Sequence, residues 1–154
     1  MKHISFAAGL AIALLCAAAA SAGPLNEAGV TRQQMIDIMT RHGLPARMDK
    51  DSNGVVIVKS RVAEVNYDVY FYNCVAGSCN QIQFAAGWSN AVVGAAKVNE
   101  WNTTKRFLRV YTKPGKVLWA EMDMVISRGT TETIDDDLTM WATMLGEFKK
   151  FMKL

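Results

Sequence analysis

The fold of this chain is decided by two neighbouring segments, YDVYFYNC at residues 67–74 and CNQIQF at residues 79–84. Aromatic and β-branched residues fill the first segment, which predicts a strand over about 67–72. Apolar and polar residues alternate in the second, which predicts a strand over about 81–84. The short connection between them predicts an antiparallel hairpin.

Cys74 and Cys79 stand at the two ends of the hairpin loop. Directly paired residues of antiparallel strands lie about 4.5–5.5 Å apart, which overlaps the separation that a disulfide accepts. Redox catalysis more naturally uses a C-x-x-C spacing than the four-residue spacing of this chain. We therefore predict a structural Cys74–Cys79 disulfide in preference to a reactive pair.

The chain before the hairpin predicts one helix and one further strand. Thr31 and Gln34 have the spacing of a capping box, and the apolar residues after them predict a helix over about 32–42. The DSNG stretch at residues 51–54 predicts a turn, and the β-branched run at 55–58 predicts the strand that follows it.

The chain after the hairpin predicts a helix, two strands and a last helix. The second helix begins at Ser89 or Asn90 and reaches about Lys105, and the strands cover 107–112 and 117–125. The last helix carries apolar residues at helical spacing, namely Ile134, Leu138, Trp141, Leu145, Phe148 and Met152. This order predicts one α+β domain with a mainly antiparallel sheet and helices over at least one of its faces.

Residues 1–22 have the features of a cleaved secretory signal peptide. A short basic start precedes an apolar run over 4–20, and Ala20-Ser21-Ala22 provides the small residues of a cleavage site before Gly23. A membrane anchor is disfavoured because the run is Ala-rich and slightly short for a span. We expect residues 23–154 to form the mature domain, periplasmic or secreted, without membrane association.

Composition excludes several classes of function. The chain has 17 Lys+Arg and 14 Asp+Glu. Loss of Lys2 with the signal peptide leaves 16 basic and 14 acidic residues, a net charge of +2, which gives no electrostatic reason to expect nucleic acid. Neither a G-x-x-x-x-G-K nor a G-x-G-x-x-G pattern occurs, so a phosphate-binding loop lacks support.

The polar residues that could carry chemistry have structural interpretations. One His and two Cys in the mature chain are too few for a zinc site, and His42 is interpreted as a solvated residue at a helix end. Residues 49–54 resemble the start of a calcium loop, but Ser60 stands where a bidentate Glu is required. The aspartates 135–137 are interpreted as charge at a helix start. We expect no catalytic residue, no metal and no cofactor, and thus no enzyme.

Strand alternation predicts two different faces of the sheet. The apolar face receives Val69, Phe71, Ile82, Phe84, Leu108, Val110, Leu118, Ala120 and Met122. The opposite face receives Tyr70, Tyr72, Gln81, Gln83, Arg109, Tyr111, Trp119 and Glu121. Because Tyr, Trp and Arg are enriched at binding hot spots, the candidate partner-binding residues are Tyr70, Tyr72, Arg109, Tyr111, Trp119 and Glu121. The alternative is that a helix covers this face and makes the aromatic residues a second core.

Small residues near the start of the second helix permit close approach of another element. They are Ala91, Gly94, Ala95 and Ala96. Packing on the sheet of the same chain is slightly preferred, and the alternative is a homodimer seam through helix 89–105.

Several of these segments together resemble the YbjN family of bacterial proteins, described as sensory transduction regulators. The resemblance rests on the Asp-rich turn with Gly54, the two hairpin segments, the block VNEWNTTKRF at 98–107, the strand with Glu121-Met122-Asp123 and the final helix. It covers about 31–152. The resemblance implies a fold similar to type III secretion chaperones, which hold peptide segments of other proteins, and it implies no catalytic residue and no cofactor.

The most specific part of the resemblance is Trp101-Asn102 with Arg106-Phe107. We interpret Trp101 and Phe107 as core residues and Asn102 and Arg106 as a tie between the helix end and the next strand, in preference to a ligand-binding role.

Three functions remain open at this point. The leading hypothesis is a non-catalytic exported sensory-transduction or stress regulator that binds a protein or peptide partner. The alternatives are a periplasmic chaperone-like holder of peptides and an enzyme of unrecognised type.

Overall fold

The computed structural model describes residues 23, 25, 29–89, 91–115 and 117–154. The helices are α1 Arg32–Arg41, α2 Ala95–Thr104 and α3 Thr131–Met152. The strands are β1 Val30–Thr31, β2 Ala46–Lys50, β3 Val56–Val62, β4 Val65–Val75, β5 Ser78–Trp88, β6 Arg109–Lys113 and β7 Val117–Val125. The predicted α+β class and the order helix, strands, helix, two strands, helix are confirmed. The signal peptide predicted over 1–22 lies outside the described residues.

The seven strands form one antiparallel sheet in the order β2-β3-β4-β5-β7-β6, and β1 pairs with β5. The predicted hairpin is formed by β4 and β5, which are both longer than predicted, and Val69 pairs with Phe84 in its centre. Since β7 pairs with the other side of β5, the hairpin lies in the middle of the sheet.

The helices pack on the apolar face predicted by alternation. All nine residues assigned to this face are buried, and they join the buried residues of the three helices in one hydrophobic cluster. The Trp141 ring of α3 lies 5.5 Å, between ring centroids, from both Tyr67 and Phe84. The six apolar positions predicted for the last helix are all buried, which confirms its amphipathic pattern.

The helix ends follow local hydrogen bonding. Thr31 and Gln34 form the predicted capping box, in which each side chain accepts from the backbone amide of the other residue. The last helix begins earlier than predicted, because Thr130 caps it and Thr131 is its first residue. The aspartates 135–137 therefore lie beyond its first turn, and the interpretation of them as charge at the helix start is wrong.

The second helix begins later than predicted. Gly94 is its N-cap and Ala95 its first residue, because residues 91–93 form a tight turn with the Val93 amide bonded to the Ala91 carbonyl. The preferred packing of the small residues on the sheet is wrong for Gly94, Ala95 and Ala96, which are exposed. The alternative start, Asn90, lies outside the described residues.

Candidate functional site

The outer face is the side of the sheet opposite the helices. It carries the six predicted partner-binding residues, Tyr70, Tyr72, Arg109, Tyr111, Trp119 and Glu121, on β4, β6 and β7. Pairing of Tyr111 with Trp119 and of Arg109 with Glu121 brings four of them together. Tyr72 is 46% exposed, and the Arg109 side chain is 60% exposed. No described helix packs on this face, so the interpretation as a second core is wrong.

Glu121 anchors one half of the outer face. It is only 6% exposed, and its carboxylate accepts hydrogen bonds from the Arg109 guanidinium and the Tyr111 hydroxyl. A buried carboxylate needs such donors, because desolvation disfavours its charged form. Burial, together with the bond to Glu121, raises the pKa of Tyr111 to about 12. Glu121 therefore positions two neighbouring side chains and presents little surface of its own.

A second chain of hydrogen bonds crosses from β4 to β7. The Tyr72 hydroxyl donates to Gln83 Oε1 over 3.3 Å, and Gln83 Nε2 donates to Asp123 Oδ1 over 2.7 Å. Asp123 Oδ2 lies 3.9 Å from Arg109 Nη2. Because Arg109 also bonds to Glu121, this contact joins the hydrogen bonds of Tyr72 and Gln83 to those of Glu121. Asp123 was not among the predicted site residues, although its alternation with Glu121 placed it on the same face.

Trp119 forms the wall of a groove on the outer face. Gly87 lies beneath its indole, where a Cβ atom would come within 3.2 Å of the ring, and Lys113 Nζ lies 3.9 Å from the ring centroid. The groove has a volume of about 480 Å³ and continues past Ala85 to Asp68. Any larger residue than glycine at position 87 would displace the indole and change this groove.

Trp101 and Asn102 have the structural role that the sequence predicted. Trp101 is buried and its Nε1 donates to the Leu108 carbonyl over 2.9 Å. Asn102 Nδ2 donates to the Val110 carbonyl over 2.7 Å, and its Oδ1 accepts from the Val110 amide over 3.0 Å. The side chain of Asn102 therefore takes the place of a neighbouring strand along β6.

Phe107 and Arg106 differ from the prediction. Phe107 is 59% exposed with φ of +70°, and the Leu108 amide bonds to the Arg106 carbonyl around it. This left-handed turn points the ring away from the core and delays the strand to Arg109. The Arg106 guanidinium lies 5.2 Å from the Phe107 ring centroid, so of the two polar residues predicted to tie the helix end to the next strand, only Asn102 does so in the described structure.

Cys74 and Cys79 are directly paired and form the predicted disulfide. Their Cα atoms are 3.9 Å apart. Cys79 is buried in the hydrophobic cluster, whereas Cys74 is exposed at the end of the hairpin. The bridge thus fastens the exposed end of β4 to a buried position of β5.

The described residues contain no group of three or more His, Cys, Asp or Glu side chains that could hold a metal ion. His42 caps α1, and its Nδ1 lies 3.4 Å from Asp135 Oδ1 of α3. None of the helices in the described ranges is long and apolar enough to cross a membrane.

Comparison with protein-family models matches residues 31–153 to the YbjN model, described as "Putative bacterial sensory transduction regulator". Comparison with curated proteins gave no match, and comparison with solved structures gave none either. The expected similarity to type III secretion chaperones therefore stays a prediction.

Proposed function

The chain belongs to the YbjN family, and we propose that it is an exported, non-catalytic regulator that binds a protein or peptide partner through the outer face. The observation that carries this proposal is the accessible outer face, with its aromatic side chains held by hydrogen bonds to Gln83 and Glu121. Aromatic and Arg side chains in fixed positions lose little conformational entropy when a partner binds, so they are suited to be hot spots.

Two observations support export. Residues 1–22 have the composition and small-residue end of a signal peptide. The Cys74–Cys79 disulfide is typical of oxidising compartments, such as the periplasm or the extracellular space. Edman sequencing of protein recovered from the periplasm should begin at Gly23, and recovery of an uncleaved chain from the cytoplasm would contradict export.

Photo-crosslinking tests the outer face as the binding surface. We expect p-benzoylphenylalanine at position 72 to capture a defined partner, because Tyr72 is an exposed aromatic residue of the proposed surface. The matched control is the same probe at position 107, where an exposed aromatic residue lies off the outer face. Equal capture at both positions, or capture at position 107 alone, would contradict the proposal.

A double variant, Trp119→Ala with Tyr72→Ala, separates binding from stability. We expect it to lose the crosslinked partner and to keep its melting temperature within a few degrees, since both side chains lie outside the hydrophobic cluster. A fall on the order of 10 °C would show that they act as core residues instead.

A second candidate function is a periplasmic holder of peptides, and the groove beside Trp119 favours it. A holder should bind many extended peptides of different origin, whereas a regulator should capture one partner. The identity of the products crosslinked at position 72 distinguishes the two.

A further inference from the structure

Asp68 is the outer-face carboxylate that the protein leaves without a partner. Glu121 and Asp123 on the same face both accept hydrogen bonds, but in the described part of the chain the Asp68 carboxylate has neither a hydrogen bond nor an ion pair within 4.0 Å. Its direct cross-strand neighbour is Lys59, whose Nζ lies 3.4 Å from Asp49 Oδ2 instead. Asp68 is half-buried, so the surrounding protein removes part of its hydration without replacing it.

The groove brings this carboxylate to a site that a side chain can enter. Ala85, the direct partner of Asp68 on β5, forms the buried floor of the groove between β4 and β7. Trp119 closes the β7 side, and its position is fixed between Gly87 and the Lys113 ammonium. The strands on either side of β5 are about 10 Å apart, which leaves room for one side chain between the walls.

In the described part of the chain the groove is lined by charges of both signs, and its one carboxylate there, Asp68, lacks a close cation. Arg47 and Lys59 also line it, but both lie within 4.0 Å of Asp49, at 3.6 and 3.4 Å, so Asp49 neutralises part of their charge. Among the described residues Asp68 has no cation within 4.0 Å, and the more distant charges of Lys59 and Arg47, which lower its pKa, compensate only part of its burial. Burial is the main cause that raises the pKa of Asp68, as expected for a carboxylate that lacks donors.

The spacing along β4 favours a polypeptide over a small amine. Asp68, Tyr70 and Tyr72 follow one another at every second residue on the outer face, a repeat of about 6.6 Å. Alternate side chains of an extended peptide have the same repeat. A chain lying along β4 can therefore contact both tyrosines while one of its side chains reaches Asp68.

We propose that Asp68 is the specificity-determining residue of the outer face, where a Lys or Arg side chain of an extended partner peptide enters the groove and forms an ion pair with the Asp68 carboxylate. This inference rests on the proposed function, because it names the chemistry of the partner at the same surface.

The test uses two capped peptides, acetyl-Ala-Ala-Lys-Ala-Ala-amide and its Glu counterpart, titrated into the disulfide-bonded protein and followed by amide and indole NMR signals. We expect the Lys peptide to shift the signals of Gly87 and the Trp119 indole, and the Glu peptide to shift neither. Asp68→Asn should lower the affinity for the Lys peptide about tenfold or more, the typical effect of removing a charged hydrogen-bond partner.

Asp123→Asn is the matched control, because it removes the same charge from the same face at a carboxylate that already has a partner. Asp123→Asn should change the affinity for the Lys peptide about twofold at most. Asp68→Lys should reverse the preference in favour of the Glu peptide, a gain that misfolding cannot produce.

Equal binding of the two peptides, or unchanged affinity in Asp68→Asn, would overturn the inference. Either result combined with specific crosslinking at position 72 would leave the proposed function intact. Loss of crosslinking at position 72 would instead remove the proposed function on which the inference rests.

Discussion

Asp137 on α3 is a carboxylate whose protonation the fold changes strongly. Burial and the neighbouring charge of Asp136 raise its pKa to about 6, from an ordinary value of 3.8. The folded state therefore binds this proton more tightly than the unfolded state does. The resulting stabilisation is complete below about pH 4 and is lost as the pH rises through about 6.

We expect Asp137→Asn to raise the free energy of unfolding at pH 7.5 and to change it little at pH 4. The side chain is half-exposed, so solvent screening limits the gain to about 1 kcal/mol. Urea unfolding at the two pH values measures it. Asp37→Asn, which removes the same charge at an exposed position of α1, is the control and should change the free energy of unfolding by about 0.5 kcal/mol at most.

Side chains were easiest to predict where their environment follows from alternation alone. The inner and outer positions of β4, β5 and β7 were correct because successive residues of a strand point to opposite faces. The hydrogen bonds that Gln83 donates to Asp123 and that Arg109 donates to Glu121 could not be predicted. They depend on how three strands are ordered and aligned, which no single segment contains.

At the scale of elements, Asn102 closes the edge of the sheet. Its side chain bonds both backbone groups of Val110, so Asn102→Ala leaves them to solvent or to another chain. We expect a loss of about 1–2 kcal/mol and faster hydrogen exchange at the Val110 amide. Asn99→Ala, on the same helix, should change stability by about 0.5 kcal/mol at most. Equal effects of the two variants would show that Asn102 contributes only helix propensity.

The disulfide at the end of the β4–β5 hairpin closes a short loop. Loop-closure entropy gives it about 2 kcal/mol, so a Cys74→Ala/Cys79→Ala variant should unfold at correspondingly lower denaturant concentration. Thiol titration of protein purified from the periplasm should show that neither Cys74 nor Cys79 carries a free thiol. Two reactive thiols there would contradict the bridge.

Two elements show the limits of local pattern. β2, with the sequence ARMDK, lacks apolar alternation because it is an edge strand whose charged side chains face water, so it was not predicted. The sequence predicts too early a start for α2, because the residues before Gly94 are apolar and compatible with a helix. Their tight turn becomes visible only in the folded chain.

At the scale of the whole molecule, the homodimer seam through the second helix stays a prediction, and the exposed start of α2 is compatible with it. Ala95 and Ala96 are exposed and small, so a second copy could approach closely there. If a dimer forms through this helix, Ala95→Glu should dissociate it, and Asn99→Glu at another exposed position of α2 should have less effect. Sedimentation over a range of concentrations measures this, and a monomer at every concentration would exclude the seam.

Gly23 and Leu25, which precede the first strand, are bonded to the start of the last helix and to the residue before its N-cap. The Gly23 backbone nitrogen donates to Thr131 Oγ1 over 3.1 Å, the Thr131 amide donates to the Gly23 carbonyl over 3.0 Å, and the Leu25 amide donates to the Gly129 carbonyl. Synthesis delivers Gly23 more than a hundred residues before its partner. Until the final 22-residue helix has emerged, Gly23 lacks both bonds to Thr131 and the apolar face of the sheet lacks Trp141. We therefore expect a chain that stops short of α3 to be open and sensitive to proteases, because it lacks the helix that covers the apolar face.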